Sequence, residues 1–187
     1  MNRVLLIAGP GKQRPATGGG LCRAVDRYDT TEYKVLRELE VRGVKLPTVI
    51  ILSAKYGWID ANTVIAQYTR QMSEERVDKA YPKLVQQWAG KYINTLLDAD
   101  YVHLHLPGAY RYALARMGFF VDIAPEIAHL TESYLGMYMQ PFVRWLQGFE
   151  ADFSDPSKHP MQREEALPSD LKTVLERAKQ EEANIKT

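Results

Sequence analysis

Residues 48–68 read TVIILSAKYGWIDANTVIAQY, from Thr48 to Tyr68, and their opening decides the fold. Thr48 to Ser53 (TVIILS) is a β-branched apolar run with no polar break before its end. That pattern predicts a strand buried on both faces, the form strands take in a parallel sheet. Parallel neighbours need crossover helices, and helical patterns flank the run on both sides. Upstream, Thr30 and Thr31 precede EYKVLRELEVRG, where Val35, Leu36 and Leu39 share a face and Gly43 is a stop signal. Downstream, Ser73 caps EERVDKAYPKLVQQWAGKYINTLL, apolar at three- and four-residue intervals, with Pro82 expected to kink or split the helix.

The same alternation continues outward. Arg3 to Ala8 (RVLLIA) predicts a buried strand ending in the turn Gly9-Pro10-Gly11, and residues 9–20 are too rich in glycine and proline for a regular element. Tyr101 to Leu106 (YVHLHL) predicts a third strand, with Pro107-Gly108 leading into the helix AYRYALARMG. Phe119 to Ile123 reads as a short fourth strand and His129 to Leu146 as an apolar helix. The expected fold is α/β: one domain over residues 1–147, built on a mainly parallel sheet of about four or five strands with helices on both faces. Residues 148–187 read as a polar connector and an amphipathic C-terminal helical tail.

Composition narrows the function classes. With 187 residues, 45% apolar and 25% charged, the chain has the makings of one core. The apolar run Val4 to Ala8 is too short for a membrane span or a secretory leader, so no membrane partner is expected. One cysteine, Cys22, allows no internal disulfide and suits the cytoplasm. A net charge of +1 argues against wrapping by long nucleic acid. Residues 1–60, however, hold ten Lys and Arg against six Asp and Glu, which suits an anionic ligand held locally.

In a parallel sheet ligands sit at the carboxyl ends of the strands, which selects three loops: 9–20, 54–68 and 107–111. The first offers backbone amides with Lys12 and Arg14 as a phosphate cradle, although it matches neither the P-loop nor the dinucleotide fingerprint. The second holds Ser53, Lys55, Tyr56, Trp58, Asp60 and Tyr68. Asp60 could orient water or stabilise a cationic sugar, and Lys55 could bind phosphate or lower a neighbouring acid's pKa. Tyr56, Trp58 and Tyr68 offer faces for stacking a base. Against this, Ser53 could satisfy backbone at a strand end, Asp60 could cap a turn and Trp58 could be core. In the third loop Gly108, Tyr110 and Arg111 could receive an anion at a helix start. His103 and His105 alternate on one strand face; without a third ligand at a metal spacing they read as a structural pair, and no metal or cofactor is expected. The Met and aromatic positions of residues 134–145 read as core or as a homo-oligomer face.

Ile51-Leu52-Ser53-Ala54-Lys55-Tyr56-Gly57, then Ile59-Asp60, Val64-Ile65 and Tyr68, resemble the LSAKYGLLDP…VIxPY signature of bacterial and phage proteins related to the peroxide-stress protein YaaA. Leu106-Pro107-Gly108, Tyr110-Arg111 and Leu114 extend the resemblance in order, so that it covers most of residues 1–146. A similar serine–tyrosine–glycine stretch occurs in the core domain of archaeosine synthase. Gly9-Pro10-Gly11-Lys12 stands where the family commonly has Cys-Gly-Lys-Lys, so cysteine chemistry at that position is not implied. The resemblance implies an α/β domain that handles DNA, nucleotides or nucleobases, including glycosylase-like hydrolases. The leading expectation is cleavage or exchange of an N-glycosidic bond, with catalytic Asp60, Lys55 and Ser53. Lys12, Arg14 and Arg111 would hold phosphates, and Tyr56, Trp58 and Tyr68 the base. A non-catalytic DNA-binding module and a binder of a free nucleotide signal are the alternatives.

Overall fold

A computed structural model describes residues 2–15, 20–133 and 139–148. In chain order the elements are β1 (Arg3–Gly9), β2 (Leu21–Arg23), α1 (Ala24–Arg27), α2 (Thr31–Val41), β3 (Thr48–Ser53), β4 (Gly57–Asp60) and β5 (Val64–Ala66). There follow α3 (Glu74–Gln87), α4 (Ile93–Leu97), β6 (Tyr101–His105), α5 (Gly108–Arg116), β7 (His129–Glu132) and α6 (Met139–Leu146). Five strands form one sheet in the order β4-β3-β1-β6-β7, and β2 pairs with β5 in a separate ribbon. The β3, β1, β6 and β7 ladder is parallel throughout, and β4 returns antiparallel beside β3. The expected mainly parallel α/β architecture is therefore observed.

Alternation of side chains along β1 divides the core into two layers. Val4, Leu6 and Ala8 join Ile50, Leu52, Val102 and Leu104 under α3, α4 and α5. Leu5 and Ile7 join Val49 and Ile51 under α1, α2 and α6. Central strands covered on both faces have no polar face to show, which is why TVIILS and RVLLIA read as unbroken apolar runs.

Four expectations need correction. Phe119 to Ile123 is a π-helical turn, not a strand: Gly118, at φ +75°, ends α5, and only Phe119 and Ile123, four apart, are buried. Residues 129–146 are not one helix. His129 to Glu132 form β7, paired in register with Tyr101 to Leu104, and the helix among the described residues of this stretch is Met139–Leu146. The long helix after Ser73 passes through Pro82 and is interrupted instead at Trp88–Tyr92 by a π-helical turn that contains Gly90. Strand β4 was hidden in the stretch read as a loop. Gly57, at φ +75°, reverses the chain there, and a side chain at that position would collide with Gln87 Oε1, which accepts from Trp58 N–H. The connector and C-terminal helix expected after residue 148 lie outside the described residues.

Among the described residues no helix is long and apolar enough to cross a membrane.

Candidate functional site

From β1 the chain crosses to β3 on one side, and later returns to β6 on the other. The carboxyl ends of β1 and β6 therefore flank the point where strand order reverses, the place where open α/β sheets bind ligands. Hydroxyls gather beside it, at the carboxyl ends of β1 and β3. Ser53, at the end of β3, lies 2.9 Å from the Tyr68 hydroxyl, which lies 2.8 Å from that of Tyr28. Ser53 Oγ also accepts from Lys55 N–H at 3.3 Å and Tyr56 N–H at 3.2 Å, so it fixes the turn that follows the strand. Tyr33 donates to Ala8 O at 2.9 Å, and Tyr110 reaches across from α5 to donate to Gly9 O at 2.8 Å. A Cβ on Gly9 would stand 2.7 Å from the Tyr28 hydroxyl, so the tyrosine packs where only glycine leaves room. Burial, reinforced by neighbouring phenols, raises the pKa of the Tyr28, Tyr33 and Tyr110 hydroxyls well above the ordinary value. They remain protonated and can donate.

A second polar group lies on the α2 side of the sheet. Glu32 Oε1 stands 3.3 Å from His105 Nε2; His105 Nδ1 is 2.7 Å from Ser133 Oγ; that oxygen is 2.7 Å from His103 Nε2; and His103 Nδ1 is 2.8 Å from Thr131 Oγ1. Both histidines are fully buried and Glu32 is 3% exposed. Burial works to raise the Glu32 pKa, but hydrogen bonds from His105 and Thr30 work against it and the group lies below the ordinary carboxylate value. Burial, with His105 nearby, drives His103 well below the usual histidine value, so it is neutral.

Glu32, His105 and Ser133 are the residue types of a hydrolytic triad, but the arrangement differs. Ser133 Oγ is held between two imidazoles at 2.7 Å from each, so its proton and a lone pair are both committed and it is not free to attack a substrate. The site is a chain of hydrogen bonds ending on a carboxylate. No group of three or more His, Cys, Asp or Glu side chains among the described residues is placed to hold a metal ion.

The predicted residues divide. Ser53, Tyr68 and Tyr110 converge at the carboxyl ends of β1 and β3, with Tyr56 packed edge-on to Tyr68 at 5.7 Å and Lys55 Nζ 5.0 Å from the Tyr56 ring. Asp60 does not join them. In the antiparallel ladder it faces Ile50, three residues below Ser53 and roughly 10 Å along the strand, and it pairs with Lys91. Trp58 is also elsewhere: it is 1% exposed beneath α3, packed on Trp88 at 4.9 Å, so its face cannot meet a ligand. Arg111 pairs with Glu132 at the end of β7, and its guanidinium lies 5.4 Å from the Phe120 ring. Gly108 opens α5 without a side-chain cap, facing open space. Lys12 is exposed, its carbonyl accepting from Asp29 N–H. Arg14 lines a cavity of about 240 Å³ with Pro15, Cys22, Asp26 and Arg27.

Glu32, Thr131, Ser133, Tyr28 and Tyr33 were missed. A signal for two of them exists: Thr131 and Ser133 alternate as His103 and His105 do, two polar pairs on neighbouring strands. Reading residues 129–146 as a helix concealed it. Compared with protein-family models, with curated proteins and with solved structures, the chain matches none.

Proposed function

We propose that the protein is a nucleobase-directed enzyme that cleaves the N-glycosidic bond of a nucleotide or of a nucleotide unit in DNA, with Glu32 as its carboxylate in place of Asp60. One observation carries the reading: a buried, ionised carboxylate hydrogen-bonded to a histidine at the end of β6, a strand that flanks the strand-order reversal. Departure of a base leaves positive charge on the sugar, and a carboxylate facing it lowers that barrier, while proton exchange with the leaving base or attacking water completes the reaction. Arg27 and Arg14 are the candidates to hold the phosphate. Arg27 is 2% exposed, donates to the carbonyls of Arg14 and Gly20, keeps a buried Nε with no hydrogen-bond partner among the described residues, and lines a cavity together with Arg14. A buried guanidinium with spare donor capacity suits an anion. Lys12 and Lys55 add exposed positive charge to neighbouring loops. The resemblance of Ile51 to Tyr68 to the YaaA-related family supports the same ligand class.

The test is base release from a panel of nucleotides and of single- and double-stranded DNA, read by mass spectrometry. Release should fall by roughly 100-fold or more in Glu32→Gln and stay near wild type in Asp60→Asn. Absence of release from every substrate the protein binds, or release indifferent to Glu32→Gln, overturns the reading. The latter pattern with salt-dependent DNA affinity would favour a non-catalytic docking module.

A further inference from the structure

We infer that Thr131, His103, Ser133 and His105 form a directional proton relay ending on Glu32, a proton-transfer site that supplies the reaction proposed above and rests on that reading for its purpose. The direction follows from counting hydrogens. An ionised carboxylate only accepts, so His105 must present Nε2–H to Glu32. With His105 neutral, its Nδ1 is an acceptor, and the Ser133 hydroxyl has to donate to it. Ser133 has only one proton, so toward His103 it accepts, and His103 carries its hydrogen on Nε2. His103 Nδ1 then accepts from the Thr131 hydroxyl. Every hydrogen bond points toward Glu32, and the four distances, 2.8, 2.7, 2.7 and 3.3 Å, leave no gap in the chain.

Such a chain moves charge without moving atoms far. A proton taken up at His103 Nδ1 by way of Thr131 releases the Nε2 proton to Ser133, whose own proton passes to His105 Nδ1. One proton has entered, His105 is an imidazolium beside Glu32, and every bond from Thr131 to His105 has reversed. His105 can then pass its Nε2 proton to Glu32 for the leaving base. When Glu32 next takes a proton from the attacking water, it returns one to Nε2, and discharge through Thr131 restores the starting state. The hydrolysis is balanced: one hydrogen reaches the base and one leaves the water.

The surroundings suit this role. From α6, Phe142 packs on both imidazoles and Trp145 on His103, all apolar faces. The strand neighbours are Leu5 and Ile7. Among the described residues, Glu32 on α2 is a charged group that touches the chain, and Arg3 on β1 lies beyond the Trp145 ring at 5.5 Å from its centroid; the Tyr33 hydroxyl on α2 is occupied with Ala8 O. The outer end lies on the edge strand β7, where Thr131 is half-buried.

The relay can be tested without any substrate. In full-length protein labelled with ¹⁵N-histidine, long-range ¹H–¹⁵N spectra over about pH 5 to 8 report charge and tautomer of each ring. The expected result is that His103 stays neutral but exchanges its Nε2–H tautomer for Nδ1–H over the same pH interval in which His105 becomes charged. Ser133→Ala should abolish the tautomer change while His105 still charges, and Ser133→Thr, which keeps the hydroxyl, should retain it. His103 holding one tautomer throughout, His103 itself becoming charged, or His105 staying neutral down to the pH of unfolding each overturns the relay. None of these outcomes depends on base release, so a relay without glycosidic activity, and activity without a relay, are told apart.

Discussion

Glu32 Oε1 and His105 Nε2 face each other at 3.3 Å, one on the first turn of α2 and the other at the last residue of β6, and both are buried. The pair fastens a helix to a central strand at the edge where ligands are expected. Removing one member strands the other. His105→Ala is expected to cost about 3–5 kcal/mol in urea unfolding, as breaking a buried pair does. The double variant with Glu32→Gln should cost less than the sum of the single changes. Additive losses would show that the two groups do not interact.

Acid should weaken the fold in two stages. His103 in the folded protein lies below its unfolded value, so its neutral form contributes stability that is complete above about pH 6.5 and declines as pH falls below that. Glu32 is also lowered, so its contribution is present above the unfolded carboxylate value and is lost as pH falls through the folded one. Urea midpoints measured from neutral to acid pH should therefore fall first through the histidine range and again near the carboxylate range. In His103→Gln the first decline should be absent; its persistence there would assign it to another group.

Ser53→Ala and Tyr68→Phe each remove one side of the 2.9 Å bond and should each cost about 1 kcal/mol. Because Tyr68 also meets Tyr28 at 2.8 Å and Ser53 also holds two backbone amides, the combined variant should differ from the sum by at least about 0.5 kcal/mol. Denaturant unfolding of the four proteins decides this, and strict additivity would deny the network.

Trp58→Ala should cost about 3–5 kcal/mol, since it opens a cavity beneath Trp88. Asp60→Asn disturbs a half-exposed pair with Lys91 and should change stability by less than about 1 kcal/mol. A small loss at Trp58 with a large one at Asp60 would reverse the places assigned to these two residues.

The sequence alone determined the central strands and their order of appearance. TVIILS and RVLLIA are apolar throughout because both faces of their sheet are covered, and a run of that kind has few other homes. Helix α2 was equally legible, from Thr30 to Gly43. Elements whose residues serve two surroundings were not. GWID reads as a polar loop because Trp58 and Ile59 are buried on opposite faces of one strand, and HLTES reads as part of a helix because Thr131 and Ser133 satisfy histidines nearly thirty residues away. The site followed the same rule. Ser53 and Tyr68 were found because they follow a strand end, where local order and position in space agree. Only the tertiary structure moved Asp60 away, since an antiparallel return carries each residue after Gly57 back down the sheet. It also brought in Glu32, whose partner His105 is seventy-three residues distant and is set by sheet register rather than by any spacing along the chain.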